Sequence, residues 1–309
     1  MTPMSIPTPR VEPAVAEALA TGGAVVALES TIVTHGMPYP DNLNTARAVE
    51  ADVRNGGAIP ATIAVIDGVI RIGLDDDGLQ RLARADNVMK LSRADLAIAV
   101  ALGRTGSTTV AATMICARLA GITVFATGGI GGVHRRAEQT FDISADLEEL
   151  ARTPVTVVCA GAKAILDLPK TLEVLETKGV PVIGYQTDEL PAFWSRRSGL
   201  PVPLRLDDPA AIARAHQTRV ALGIEGGQLV VNPIPAEAEI PAAELNPVIE
   251  RAIREASLAG VSGKAVTPDV LSRVLVLTNG RSLAANIALV RNNARLAAQI
   301  AVALASSRP

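Results

Sequence analysis

Lys163 closes the run Val155-Thr-Val-Val-Cys-Ala-Gly-Ala-Lys163, which is apolar and β-branched until Gly161. Short runs of that kind, bounded by Gly and Pro, mark a buried strand. A helical pattern through Ala164-Ile-Leu-Asp-Leu follows. The spacing therefore predicts Lys163 at the strand's carboxyl end, in the first turn of the next helix. Open α/β sheets bind ligands at that edge. A cation at a helix N-terminus meets an unfavourable dipole, and desolvation also favours a neutral amine. Imine chemistry needs that neutral amine. The plainer reading of the same pattern is a solvated lysine at a loop–helix junction.

Glu29 ends a second apolar run, where a carboxylate is costly unless paired or functional. It suits a general acid or base, or else a partner for a core arginine or backbone amide. Thr127-Gly-Gly-Ile-Gly-Gly-Val-His134 is a glycine-rich loop after a strand, without the spacing of a dinucleotide fingerprint. His134, just beyond it, is a candidate polar contact to substrate. Asp142-Ile-Ser-Ala-Asp146 puts oxygen groups at alternate positions, yet Leu147 and Thr153 stand where a calcium loop needs Gly and Glu. Asp142, with Ser144 and Asp146, could hold a hard divalent ion that keeps several waters. The competing reading is a helix cap from Ser144 or Asp142. Gly106-Ser-Thr-Thr-Val110 lies between a strand and a helix, where hydroxyls and free amides make an anion site or an ordinary cap. Lys90 precedes an apolar run and reads by itself as solvated. Asn286 puts an amide on an Ala-rich helix.

The elements that must position these groups alternate between strand and helix. Strands are expected over residues 24–30, 95–101, 122–126, 155–159, 180–185 and 228–235. A hairpin over 61–72 turns at Asp67-Gly68, the dipeptide favoured in tight hairpins. Helices are expected over 11–20, 41–54 with Asp41 as cap, 75–84, 109–119, 146–151, 171–178, 210–222, 244–259, 268–275 and from 283 to about 305. Residues 190–208 hold three prolines, with a fourth at 209, and break the pattern, more in the manner of a lid or interface than of a linker. Residues 1–10 read as a disordered leader, and 11–309 as one catalytic domain without internal repeats.

Composition bounds the rest. The chain has 309 residues, 49% hydrophobic but only 2% aromatic, so its core is built from Ala, Val, Ile and Leu. That suits helices packed on a doubly covered, largely parallel sheet. The net charge is −2, without basic runs or aromatic platforms, which argues against nucleic-acid polymers as partners. Cys116 and Cys159 sit in apolar runs and read as buried thiols. No segment reads as a signal peptide or membrane span, so a cytoplasmic location is expected.

Taken together and in order, these motifs resemble one family. Ala27-Leu-Glu-Ser-Thr-Ile-Val-Thr-His-Gly-Met-Pro38, Ser107-Thr-Thr-Val-Ala-Ala-Thr-Met114 and Phe125-Ala-Thr-Gly-Gly-Ile-Gly-Gly-Val-His-Arg135 closely resemble pseudouridine-5′-phosphate glycosidase. So do Thr140-Phe-Asp-Ile-Ser-Ala-Asp-Leu147, Val158-Cys-Ala-Gly-Ala-Lys163 and Asn232-Pro-Ile-Pro235. The pigment-synthesis protein indigoidine synthase A is similar to the same family. The resemblance runs from about residue 11 to 305. It implies a three-layer α/β/α fold, a homotrimer, a divalent ion (usually manganese), and reversible cleavage of the C–C glycosidic bond of pseudouridine 5′-phosphate to uracil and ribose 5-phosphate. By the same resemblance Lys163 is the covalent nucleophile, Glu29 the proton donor and Asp142 the metal ligand. Lys90, Thr109, Val110, Ser144, Ala145 and Asp146 would contact substrate, with His134 and Asn286 as further pocket residues. Arg136 departs from the glycine expected there, and the backbone at that point is expected to need a positive φ. Two other readings remain: a Schiff-base lyase or aldolase on another phosphosugar, and a non-catalytic sugar-phosphate sensor.

Overall fold

The computed structural model describes residues 8–307. Its centre is a parallel ladder of strands in the order Ile59–Ile66, Val25–Leu28, Val124–Ala126, Thr156–Cys159, Gln228–Val231, Val182–Tyr185 and Leu204–Leu206. Val69–Ile72 returns antiparallel along Ile59–Ile66, and Arg10–Val11 pairs parallel with Val69–Ile72. Gly106–Thr108 also joins Ile59–Ile66 antiparallel and carries Met89–Leu91 on its other side. The sheet is mixed, within the three-layer α/β/α expectation.

Every residue of the four innermost strands named from Val25 to Val231 is buried. Strands buried on both faces read as continuous apolar runs, which is why Val, Ile and Ala dominate them. Phe125 is the one aromatic residue in those four strands and is fully buried. Its truncation to alanine would cost about 3–5 kcal/mol. Helices Arg281–Ser306 and Val110–Ala120 both pack on the ladder. The first carries Leu289, Ala294, Ala297, Ala301 and Leu304 inward, the 3.6-residue stripe of a core-facing helix.

Several expectations move. Residues 93–101 form a helix, Arg93–Ala101, rather than the strand expected over 95–101. The Ser92 amide donates to the Asp95 carboxylate at 2.9 Å, a helix-start contact. The alanines of that run then favour helix over strand. Lys90 consequently lies inside a strand, and Gly106–Thr108 is itself a strand. Asp41 is the first helical residue and Pro40 takes the cap position. Lys163 does not open a helix. Leu166–Asp167 pairs with Val133–His134 as a two-stranded ribbon, and the next helix, Leu168–Thr177, starts only at the Asp167 cap. The hairpin turns at Asp67 and Gly68, both with positive φ, as expected. Of the expected leader, residues 1–7 lie outside the described residues, while Arg10 belongs to a strand.

His216 sits within this core, 5% exposed, with Nδ1 3.1 Å from Thr156 Oγ1. Burial first, and the Arg219 charge second, hold its imidazole below the ordinary 6.5. Between the folded value and 6.5 the unfolded chain binds a proton that the folded chain refuses, so stability falls as pH drops through 6.5. The loss levels off below the folded value. His216→Gln should flatten the fall by up to about 1.4 kcal/mol per pH unit, read from urea unfolding across that range. An unchanged slope would place the acid sensitivity elsewhere.

Candidate active site

The site is built where three adjacent parallel strands end. Register places Leu28 beside Ala126 and Ala126 beside Val158. One residue further on, Glu29 therefore meets Thr127, and four residues past Cys159 the chain reaches Lys163. Glu29 accepts hydrogen bonds from the hydroxyls of Thr127 and Thr31. Lys163 Nζ donates to the Gly129 carbonyl at 2.8 Å. A neutral lysine keeps a lone pair free while making that bond. The helix dipole invoked from sequence plays no part, because no helix begins there.

All the residues expected to form the site line one cavity of about 840 Å³: Glu29, Lys90, Thr109, Val110, His134, Asp142, Ser144, Ala145, Asp146, Lys163 and Asn286. A pocket of that size suits a small-molecule ligand. Lys90 reaches it from the Met89–Leu91 strand, paired with Ser107. Thr109 caps the Val110–Ala120 helix, and its Oγ1 is buried without a hydrogen-bond partner among the described residues. An orphaned hydroxyl at a helix start, where amides also point outward, is what an anionic oxygen would satisfy.

Asp146 is a clasp. Its carboxylate accepts from the Ala111 amide at 3.0 Å and from the Gly131 amide at 2.8 Å. It thus ties the glycine loop to the helix start, and its own amide is capped by Ser144 at 3.2 Å, the cap anticipated from sequence. Gly131 has to be glycine here, since a Cβ would come within 2.2 Å of Ser144 Oγ and 2.8 Å of Asp146 Oδ2. Asn293, fully buried on the last helix, donates to the Thr127 carbonyl at 2.8 Å and accepts from Asn232 at 3.1 Å. The loop that carries Thr127 and Gly129 is held from two sides.

Asp142 is half-buried, with Oδ2 3.7 Å from His134 Nδ1. Burial lowers the His134 imidazole, Asp142 draws it back up, and Lys163 and Lys90 push it down. His35 is lowered by burial and by Lys90, against a hydrogen bond with the Val88 backbone. The described residues contain no group of three His, Cys, Asp or Glu side chains able to cage a metal. Of the carboxylates lining the cavity, Asp146 is engaged by backbone amides, Glu29 by the hydroxyls of Thr31 and Thr127, and Asp95 by the Ser92 amide, while Asp142 faces His134. One carboxylate fits a hard divalent ion that keeps most of its water shell.

Several contributors were missed from sequence. Thr31, His35 and Phe193 line the cavity, and Thr127 holds Glu29. Thr31, His35 and Thr127 stood inside the motifs already singled out. Asn293 follows Asn286 by seven residues, two turns along one helix face, and that spacing was the available signal. Phe193 comes from the Pro-rich excursion: residues 190–195 are all buried, and Phe193 among them lines the cavity, with Phe193 N bonded to the Ala160 carbonyl at 3.0 Å. The ring passes so close to the glycine loop that a Cβ on Gly129 would meet it at 2.6 Å. Arg136 does adopt the positive φ anticipated, 67°, but its side chain is exposed and does not line the cavity.

A lysine amine and a hydroxyl-held carboxylate at the carboxyl edge of a parallel sheet define an α/β enzyme acting on a small molecule. More particularly, the chain belongs to the indigoidine synthase A-like protein family, whose model matches residues 14–303. It is 68% identical to the pseudouridine-5′-phosphate glycosidase of Paracoccus denitrificans, over 96% of this chain and 98% of that one. It is 57% identical to the protein of that name from Staphylococcus aureus, over 94% of each. Among solved structures, the prealnumycin C-glycosynthase AlnA in complex with ribulose 5-phosphate superposes with a TM-score of 0.90 at 39% identity, covering 98% of both chains. An indigoidine synthase A-like protein from Thermotoga maritima gives 0.86 at 36% identity, covering 92% of this chain and 94% of that one.

The clasp is directly testable. Asp146→Asn puts an NH2 against one of two backbone amides, leaving donors facing each other. Unfolding in urea should show a loss of about 2–3 kcal/mol. Wild-type stability in that variant would mean that the clasp contributes little.

Proposed function

We propose that this protein is a pseudouridine-5′-phosphate glycosidase, a lyase that reversibly splits a C–C glycosidic bond to give uracil and ribose 5-phosphate. The observation that carries the reading is the convergence of Lys163 and Glu29 at neighbouring strand ends in one cavity, in a chain so similar to relatives of that name.

A C-glycoside has no heteroatom leaving group, so the departing ring carbon must gain a proton as its bond breaks. Glu29 in its acid form gives a proton to the ribose ring oxygen while that C–O bond opens. The Lys163 amine adds its lone pair to C1′, forming a C–N bond. The proton shed by the new secondary ammonium returns to the Glu29 carboxylate, which passes it to uracil C5. The C1′–C5 bond then breaks, its electron pair stays with C5, and the nitrogen lone pair closes the C1′=N imine. Water adds to the imine, frees ribose 5-phosphate and restores the amine. Thr31 and Thr127 serve both states of Glu29, because a hydroxyl can turn from donor to acceptor. Phosphate oxygens fit Lys90, the orphaned Thr109 hydroxyl and the helix start at Val110. Binding energy gathered there orients the sugar. Asp142 would hold a divalent ion, manganese on this reading, which when bound supplies positive charge toward the anionic substrate. A homotrimer in the cytoplasm belongs to the same proposal. Among the described residues no helix is long and apolar enough to cross a membrane.

A second reading draws on AlnA, which holds ribulose 5-phosphate: the same imine chemistry directed at another phosphosugar. Release of free uracil from pseudouridine 5′-phosphate separates the two. Lys163→Arg should stay folded and lose at least about a thousandfold in turnover. Glu29→Gln should lose about 10²–10⁴-fold. Chelation should lower the wild-type rate and manganese restore it. Uracil release by Lys163→Arg at the wild-type rate would reject the mechanism.

A further inference from the structure

Asn286 presents the cavity with an amide whose orientation is set from behind. The indole N–H of Trp194, the only tryptophan of the chain, donates to Asn286 Oδ1 at 2.6 Å. Indole nitrogen can only donate, so the amide oxygen must face Trp194 and the NH2 group must face away. Asn286 lines the cavity, and among the described residues no protein group accepts from its Nδ2.

The indole cannot readily swing. Trp194 is fully buried, its carbonyl accepts from the Ile240 amide at 2.9 Å, and its ring meets that of Phe193 edge-on at 5.0 Å. Apolar residues join Asn286 in lining the cavity. Leu289 lies one turn along the same helix face. Leu289 and Phe193 converge on Gly128, where a Cβ would find them at 3.3 and 3.7 Å. A flat ring with polar edges fits that wall. The charged phosphate fits the Lys90 and Thr109 groups instead.

We propose that Trp194 is a positioning residue that locks Asn286 as a hydrogen-bond donor, and that this donor selects a base with a carbonyl over one with an amino group in the same place. The inference rests on the glycosidase reading and names what recognises its pyrimidine. A base carbonyl completes the amide's hydrogen bonding. An amino group there would set N–H against N–H and leave both unpaired, a mismatch that buried polar sites reject strongly.

The test is synthesis from uracil and saturating ribose 5-phosphate, with the KM of each substrate measured separately. Trp194→Phe keeps a ring but removes the N–H, and should raise the uracil KM about tenfold while the ribose 5-phosphate KM stays within about twofold. Asn286→Asp can still accept from the indole but offers the base an oxygen, and should raise the uracil KM about a hundredfold or more. Should Trp194→Phe fail to fold, Asn286→Asp decides alone. Wild-type Trp194 fluorescence should respond to uracil, and Asn286→Asp should lose that response. Wild-type synthesis with an unshifted uracil KM in Asn286→Asp overturns this inference alone, as does an equal rise in both KM values. No uracil incorporation by the wild type overturns the glycosidase reading and this inference together.

Discussion

The register of three parallel strands, Val25–Leu28, Val124–Ala126 and Thr156–Cys159, is the constraint on which the site depends. Backbone hydrogen bonds hold Leu28, Ala126 and Val158 in line, so the residues just beyond each strand emerge side by side. Glu29 and Thr127 are neighbours for that reason, and the turn to Lys163 starts from the third strand. A one-residue slip would turn every side chain of a strand to the opposite face. Close packing against both faces resists it. The hydrophobic core thus fixes the spacing of two reactive groups that belong to different parts of the sequence.

Beyond the strand ends, polar contacts take over from apolar packing. Asp146 ties the glycine loop to the start of the Val110–Ala120 helix, and Asn293 ties the same loop to the last helix. From the buried segment 190–195, Phe193 lines the cavity and presses against Gly129. Each of these groups is buried with its hydrogen bonds made, which is what keeps a polar interior from being a liability. The result is a cavity whose donors and charges are held in place by the protein's own contacts. The orphaned Thr109 hydroxyl is the exception, and it sits where an anion would bind.

Much of this was legible in the chain. The apolar runs at 25–28, 124–126 and 156–159 marked the parallel core, and Asp67-Gly68 marked the hairpin. Glu29 and Lys163 stood out because charge at the end of a buried strand is costly. Residues 95–101 were misread because an alanine-rich run alternates as readily as a strand, and the decisive cap contact between Ser92 and Asp95 lies upstream of it. Lys163 was placed in a helix because Leu166–Asp167 is a strand only through its pairing with Val133–His134, a long-range contact that local periodicity does not carry. The roles of Thr127, Phe193, Trp194 and Asn293 escaped for the same reason: they are set by partners between 33 and 166 residues away.

The central claim is that Lys163 becomes covalently bonded to the sugar carbon from which uracil departs. Borohydride added to protein, manganese and pseudouridine 5′-phosphate reduces an imine to a stable amine, and intact mass with peptide mapping then locates it. The account predicts a ribose-phosphate adduct on the peptide bearing Lys163, together with free uracil. Uracil release with no adduct, or with an adduct on a different lysine, would contradict it.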